Sequence, residues 1–138
     1  MQKAILQANI AYKKKEVPVG SILIYKGKIL EKAYNKVIKN NNPILHAEFI
    51  VITKTIKRTN KFLHGTELYI TLEPCSMCTE IIFLSRIKTI IFGTHNNEKN
   101  INSINYYQNI QITGGILEKE CSKILNCFFK NKRINNIL

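Results

Sequence analysis

Thr71-Leu72-Glu73-Pro74-Cys75-Ser76-Met77-Cys78, read with His46-Ala47-Glu48 upstream, decides how this chain folds and what chemistry it carries. Zinc favours thiolate and imidazole ligands in tetrahedral geometry, and a catalytic zinc keeps one position open for water. His46, Cys75 and Cys78 offer three such ligands. Residues three apart share a helix face, so Cys75 and Cys78 converge if a helix starts there. Pro74 suits the first turn of that helix, where its missing N–H is no loss. The helix N-terminus also favours the thiolates that a metal needs.

Glu48 follows His46 by two residues. On a regular helix that spacing is a rotation of about 200°, which points the two side chains apart. Both face one pocket only if His46 stands at the very start of the helix. A carboxylate beside such a metal can take a proton from water and return it. A purely structural zinc knuckle wants four protein ligands instead. The full arrangement, His-x-Glu followed by Pro-Cys-x-x-Cys with each half at a strand-to-helix junction, is the signature of zinc deaminases.

Around this centre the 138 residues fit one domain, 1–138, able to bury about two-thirds of the surface of its unfolded chain. A hydrophobic share of 45% suits a globular core. The longest apolar runs, Ile81 to Leu84 among them, are far too short to span a bilayer. The start, Met1-Gln2-Lys3-Ala4-Ile5-Leu6, lacks the apolar segment of a signal peptide. Four cysteines in that context read as metal ligands and buried thiols, which predicts a cytoplasmic protein without membrane contact. The net charge of +12 points to a polyanionic partner. It comes mostly from lysine in a chain crowded with Ile and Asn, so part of it reflects composition alone.

The periodicity predicts a helix over 2–14, a hairpin of strands 21–25 and 29–34, and a loop at Asn40-Asn41-Asn42-Pro43. A helix from near His46 to Lys61, a strand over 67–72 and a helix over 75–85 follow. Then come a strand over 89–93, an Asn-rich loop over 94–109, a strand over 110–113 and a helix over 118–132. Strands alternating with helices imply an α/β sandwich with some parallel pairing. Cys121 and Cys127 read as buried thiols on the last helix, Met77 as packing, and His64 and His95 as surface histidines in loops.

The chain resembles the bacterial tRNA-specific adenosine deaminases of the cytidine-deaminase superfamily over nearly its whole length. The matching pieces are Glu16-Val17-Pro18-Val19-Gly20, Asn35, Asn42-Pro43, His46-Ala47-Glu48, Thr71 to Cys78, Ser85-Arg86-Ile87, Ile90-Ile91-Phe92-Gly93, Ile116-Leu117 with Glu120-Cys121, and Phe128-Phe129-Lys130. The resemblance implies a three-layer α/β/α sandwich with a five-stranded mixed sheet, and a homodimer. It implies one zinc per chain on His46, Cys75 and Cys78, with Glu48 as proton shuttle. The reaction implied is hydrolysis of a flipped-out adenosine to inosine at the wobble position of a tRNA anticodon. Asn35 would contact the base, and Pro43, Ala47, Glu73 and Pro74 would complete the substrate site. Phe128, Lys130, Lys132 and Arg133 read either as a solvated face or as a tRNA contact.

Two stretches depart from the family. Ile44 and Leu45 stand before His46 where the family has small residues; they would narrow the pocket or repack behind it. Thr94-His95-Asn96-Asn97-Glu98-Lys99-Asn100 replaces the family's Asp- and Gly-rich stretch. Two rival functions remain open on the residues alone. One is a deaminase of a free base, guanine or cytosine, which has no use for a basic surface. The other is a non-catalytic zinc protein that binds RNA, which needs no Glu48.

Overall fold

A computed structural model describes residues 1–96 and 109–135. The order of elements is α1 (Gln2–Lys13), β1 (Gly20–Tyr25), β2 (Lys28–Tyr34), α2 (Val37–Asn40), α3 (Ala47–Thr59), β3 (Thr66–Leu72), α4 (Ser76–Leu84), β4 (Thr89–Thr94), β5 (Gln111–Thr113) and α5 (Glu118–Asn135). The strands form one sheet in the order β2-β1-β3-β4-β5. β1 pairs antiparallel with β2 and β3, while β3–β4 and β4–β5 are parallel. Helices α1 and α5 pack on one face; α3 covers the other, with α4 against it. The expected three-layer sandwich around a five-stranded mixed sheet is therefore what forms. No helix among the described residues is long and apolar enough to cross a membrane.

Local chemistry explains the elements. Lys26 and Gly27 both have positive φ, which a two-residue turn matched to the sheet's twist demands, so β1 and β2 close a tight hairpin. Asn41 and Asn60 end α2 and α3 in the left-handed region that Asn tolerates. The core side of the sheet gathers Leu23, Leu68, Ile70 and Ile90 against Ala47, Ile50, Val51 and Ile82. On the opposite side α1 presents Ala4, Ala8 and Ala11, all fully buried, while its larger Leu6 faces outward. The reason lies in β1. A Cβ on Gly20 would strike the Ala4 carbonyl and the Ala8 amide, so helix and strand backbones touch there.

The structure changes four local readings. The short α2 occupies part of what reads as connecting chain, so the His46 motif follows a helical turn and not a strand. Pro74 does not enter the first turn of α4. Cys75, in extended conformation, is the N-cap, and Pro74 precedes it. Cys127 is exposed, because the buried stripe of α5 is Cys121, Leu125 and Phe128, and position 127 falls off it. The last helix runs to Asn135. Of the Asn-rich loop, residues 97–108 lie outside the described residues.

Candidate active site and metal centre

The site lies in the crevice beyond the carboxyl ends of β3 and β4, where ligands commonly bind in open α/β sheets. Two helix starts deliver the metal donors. His46 is the N-cap of α3, with φ −68° and ψ 156°, and its carbonyl accepts the first helical bond, from Ile50 N at 3.0 Å. This placement lets His46 and Glu48 serve one pocket. Cys75 caps α4, its carbonyl held by Thr79 N and Thr79 Oγ1, both at 2.9 Å, and Cys78 sits in the first turn. The backbone of Glu73 extends the β3–β4 ladder by donating to the Thr94 carbonyl at 2.9 Å, which fixes the approach to Pro74 and Cys75.

His46 Nδ1 lies 3.6 Å from Cys75 Sγ and 3.5 Å from Cys78 Sγ. The three donor atoms fall within 4.8 Å of one another. Two sulfurs and one imidazole nitrogen are a donor set that zinc prefers, and three ligands leave a fourth position free. His46 and Cys75 line the adjoining cavity, so that position has access to substrate, while Cys78 is sealed behind them. The hydrogen bond from Cys78, with help from His46, brings the Cys75 thiol down to about 4. The same hydrogen bond and burial push Cys78 upward. His46 is raised, first by its hydrogen bond with Cys75.

Glu48 is buried in the first turn of α3. Desolvation raises its carboxyl above the ordinary value, opposed by its own backbone amide and by the nearby His46. A carboxyl raised in this way can both accept and return a proton.

The cavity measures about 570 Å³, within the usual range for a small-molecule site. Asn35 and Glu73 line it. Pro43, exposed on its loop, and Pro74, buried before the cap, do not reach its wall. Ala47 is fully buried in the core cluster and does not line the cavity. Neither Ile44 nor Leu45 narrows the cavity. Leu45 packs behind it against the core, and Ile44 is exposed.

One wall comes from α5 through Glu118, Ser122, Leu125, Asn126 and Phe129. These residues follow helical spacing, and that mixed polar stripe is the signal that could have been read from the sequence. Phe128 is buried, with Lys132 Nζ 5.3 Å from its ring centre, so Phe129 is the aromatic at the cavity. Lys130, Lys132 and Arg133 are exposed beyond it. His95, read as a plain surface histidine, instead stands on the rim. Its Nδ1 lies 3.1 Å from Glu73 Oε2, and its ring meets Phe92 edge-on.

Fold and site together define a zinc deaminase of the cytidine-deaminase type. Residues 1–94 match the model of the cytidine and deoxycytidylate deaminase zinc-binding region. The tRNA-specific adenosine deaminase of Bacillus subtilis (strain 168) is 33% identical over 96% of this chain and 88% of its own length. Its counterpart in Buchnera aphidicola subsp. Baizongia pistaciae (strain Bp) is 40% identical over 96% of this chain and 88% of its own length. A solved structure from studies of A-to-I editing by tRNA:A34 deaminases at the wobble position superposes with a TM-score of 0.84. It is 28% identical and covers 91% of this chain and 97% of that one. The chain belongs to the tRNA-specific adenosine deaminases of the cytidine and deoxycytidylate deaminase family.

Proposed function

We propose that this protein is a hydrolase that converts adenosine to inosine at the wobble position of a tRNA anticodon, releasing ammonia. The observation that carries the reading is Glu48: a buried carboxyl in the first helical turn, beside three zinc donors at the wall of a cavity of about 570 Å³. His46, Cys75 and Cys78 would hold the zinc, which would supply the Lewis acidity that activates a water. Glu48 takes one proton of the water and delivers it to a ring nitrogen as the oxygen bonds to C6 of the adenine; it then passes the oxygen's second proton to the amine as the C6–N bond breaks, which leaves inosine and ammonia. Asn35 holds the base from the side of the cavity with its amide. Phe129 offers a stacking surface at the rim, and the exposed Lys130, Lys132 and Arg133 lie beyond it along α5 toward an anionic backbone.

Residues 1–138 act as one domain in this reading, in the cytoplasm, as a homodimer. Support for the dimer comes from α4, whose Met77, Ile81, Phe83 and Leu84 leave the outer layer apolar; Leu84 is 59% exposed.

The test is a comparison of kcat/KM for an anticodon stem-loop carrying adenine, the same loop carrying cytosine, and free adenosine, guanine and cytosine. The adenine loop should win by orders of magnitude, because contacts along the flanking backbone raise the rate of the chemical step. A free base or nucleoside that matched the adenine loop would refute the tRNA reading. A winning cytosine loop would leave the zinc chemistry and overturn the base.

A further inference from the structure

Glu16 stands outside the metal site and is 1% exposed. Its carboxylate collects three N–H donors: Asn35 Nδ2 at 3.3 Å, Ile38 N at 3.0 Å and Lys39 N at 2.7 Å. The two backbone donors belong to the first turn of α2, where N–H groups have no helical partner. The third is the side chain of Asn35, which lines the cavity. A carboxylate only accepts, so Asn35 must turn its nitrogen toward Glu16. One N–H and the amide oxygen are then left for a ligand, in a set orientation. Val37, also on the cavity wall, rides on the same short helix.

We propose that Glu16 is a positioning residue of the substrate site: it locks the orientation of the Asn35 amide, and so decides which hydrogen-bonding edge the cavity wall offers to the base. The inference rests on the reading that Asn35 meets the substrate base. Gln at position 16 would fit the same space, yet it carries one oxygen and one NH2 where three donors converge. Two of those donors are backbone and cannot turn. Asn35 is the partner free to rotate, so its amide is the one released.

The test is a double-mutant cycle of Glu16→Gln and Asn35→Ala, read as kcat/KM on the adenine stem-loop, with zinc content and Tm measured alongside. Glu16→Gln should lower kcat/KM by about tenfold or more in the native background and less than about threefold in the Asn35→Ala background, since two residues acting through one contact are not additive. The loss in Tm, which reports the capping of α2, should be similar in both backgrounds, and zinc should stay at one per chain. An equal fold-loss in both backgrounds, or no loss at all, overturns the proposal. If Glu16→Gln does not fold, Glu16→Asp takes its place, since it keeps the charge and withdraws the oxygens. Should the native protein prefer another base, the cycle is run on that base; the adenosine reading then falls while Glu16 is still decided. A second measurement needs no substrate. The Asn35 side-chain amide should exchange slowly with water in the native protein and quickly in the Glu16 variant, and equal exchange would also overturn the proposal.

Discussion

His95 Nδ1 lies 3.1 Å from Glu73 Oε2, and the same carboxylate oxygen accepts the Asn96 amide at 3.1 Å. Glu73 thereby ties the end of β4 to the stretch that carries the metal cysteines. His95 is itself 61% exposed in its side chain, so the contact serves to place a ring at the cavity rim more than to hold the fold. An exposed pair of this kind contributes at most about 1 kcal/mol. His95→Ala is expected to raise KM about three- to tenfold and to lower Tm by no more than about 4 °C. Loss of zinc, or a collapse of kcat, would show that the ring does something else.

The metal prediction separates the cysteines. Cys75→Ala and Cys78→Ala each remove a zinc donor and should yield protein with little bound metal. Cys121 is buried against Gly93 and is not part of the donor cluster, so Cys121→Ala should keep a full zinc complement. Metal analysis of the three purified variants decides it, and full zinc in Cys75→Ala would refute the ligand assignment.

Glu48→Gln keeps the shape of the side chain and removes its capacity to carry a proton. The neutral amide also suits the burial that raises the native carboxyl. The variant should therefore fold, bind zinc, and lose on the order of 10²–10⁴ in kcat. Near-native turnover would remove Glu48 from the chemistry.

Gly20→Ala should test the packing that sets α1 on the sheet. The added Cβ meets backbone atoms of Ala4 and Ala8, which have no side-chain freedom with which to yield. Overpacking of this kind costs about 1–3 kcal/mol. The urea midpoint should drop accordingly, with zinc content unchanged; an unaltered midpoint would mean that α1 can shift freely.

Salt should weaken tRNA binding steeply, since phosphate contacts release condensed counterions. Replacing Lys130, Lys132 and Arg133 together by alanine should flatten the slope of log affinity against log salt by about two. A slope equal to that of the native chain would make this end of α5 a solvated face.

The spacing of His46, Glu48, Cys75 and Cys78 is chemistry written locally. Each group sits within a residue or two of a helix start, so the chain's own N-caps determine where the side chains go, and sequence suffices to read them. The alternation of strands and helices, the hairpin turn at Lys26-Gly27, and the parallel pairing were legible for the same reason. What the sequence could not show depends on which surfaces meet. Ala4, Ala8 and Ala11 became the buried face of α1 only because Gly20 lets two backbones touch. Cys127 is exposed, Phe128 is buried and Phe129 meets the cavity because the rotation of α5 about its axis is set by its contacts with α1, β3 and β4. Leu45 packs against the core and not into the cavity, a choice between two apolar surroundings that its own sequence context leaves open. Glu16, nineteen residues from Asn35 in the chain, is joined to it by a hydrogen bond that no local pattern encodes. Local backbone rules placed the metal and its acid, while side-chain packing between distant elements shaped the cavity around them.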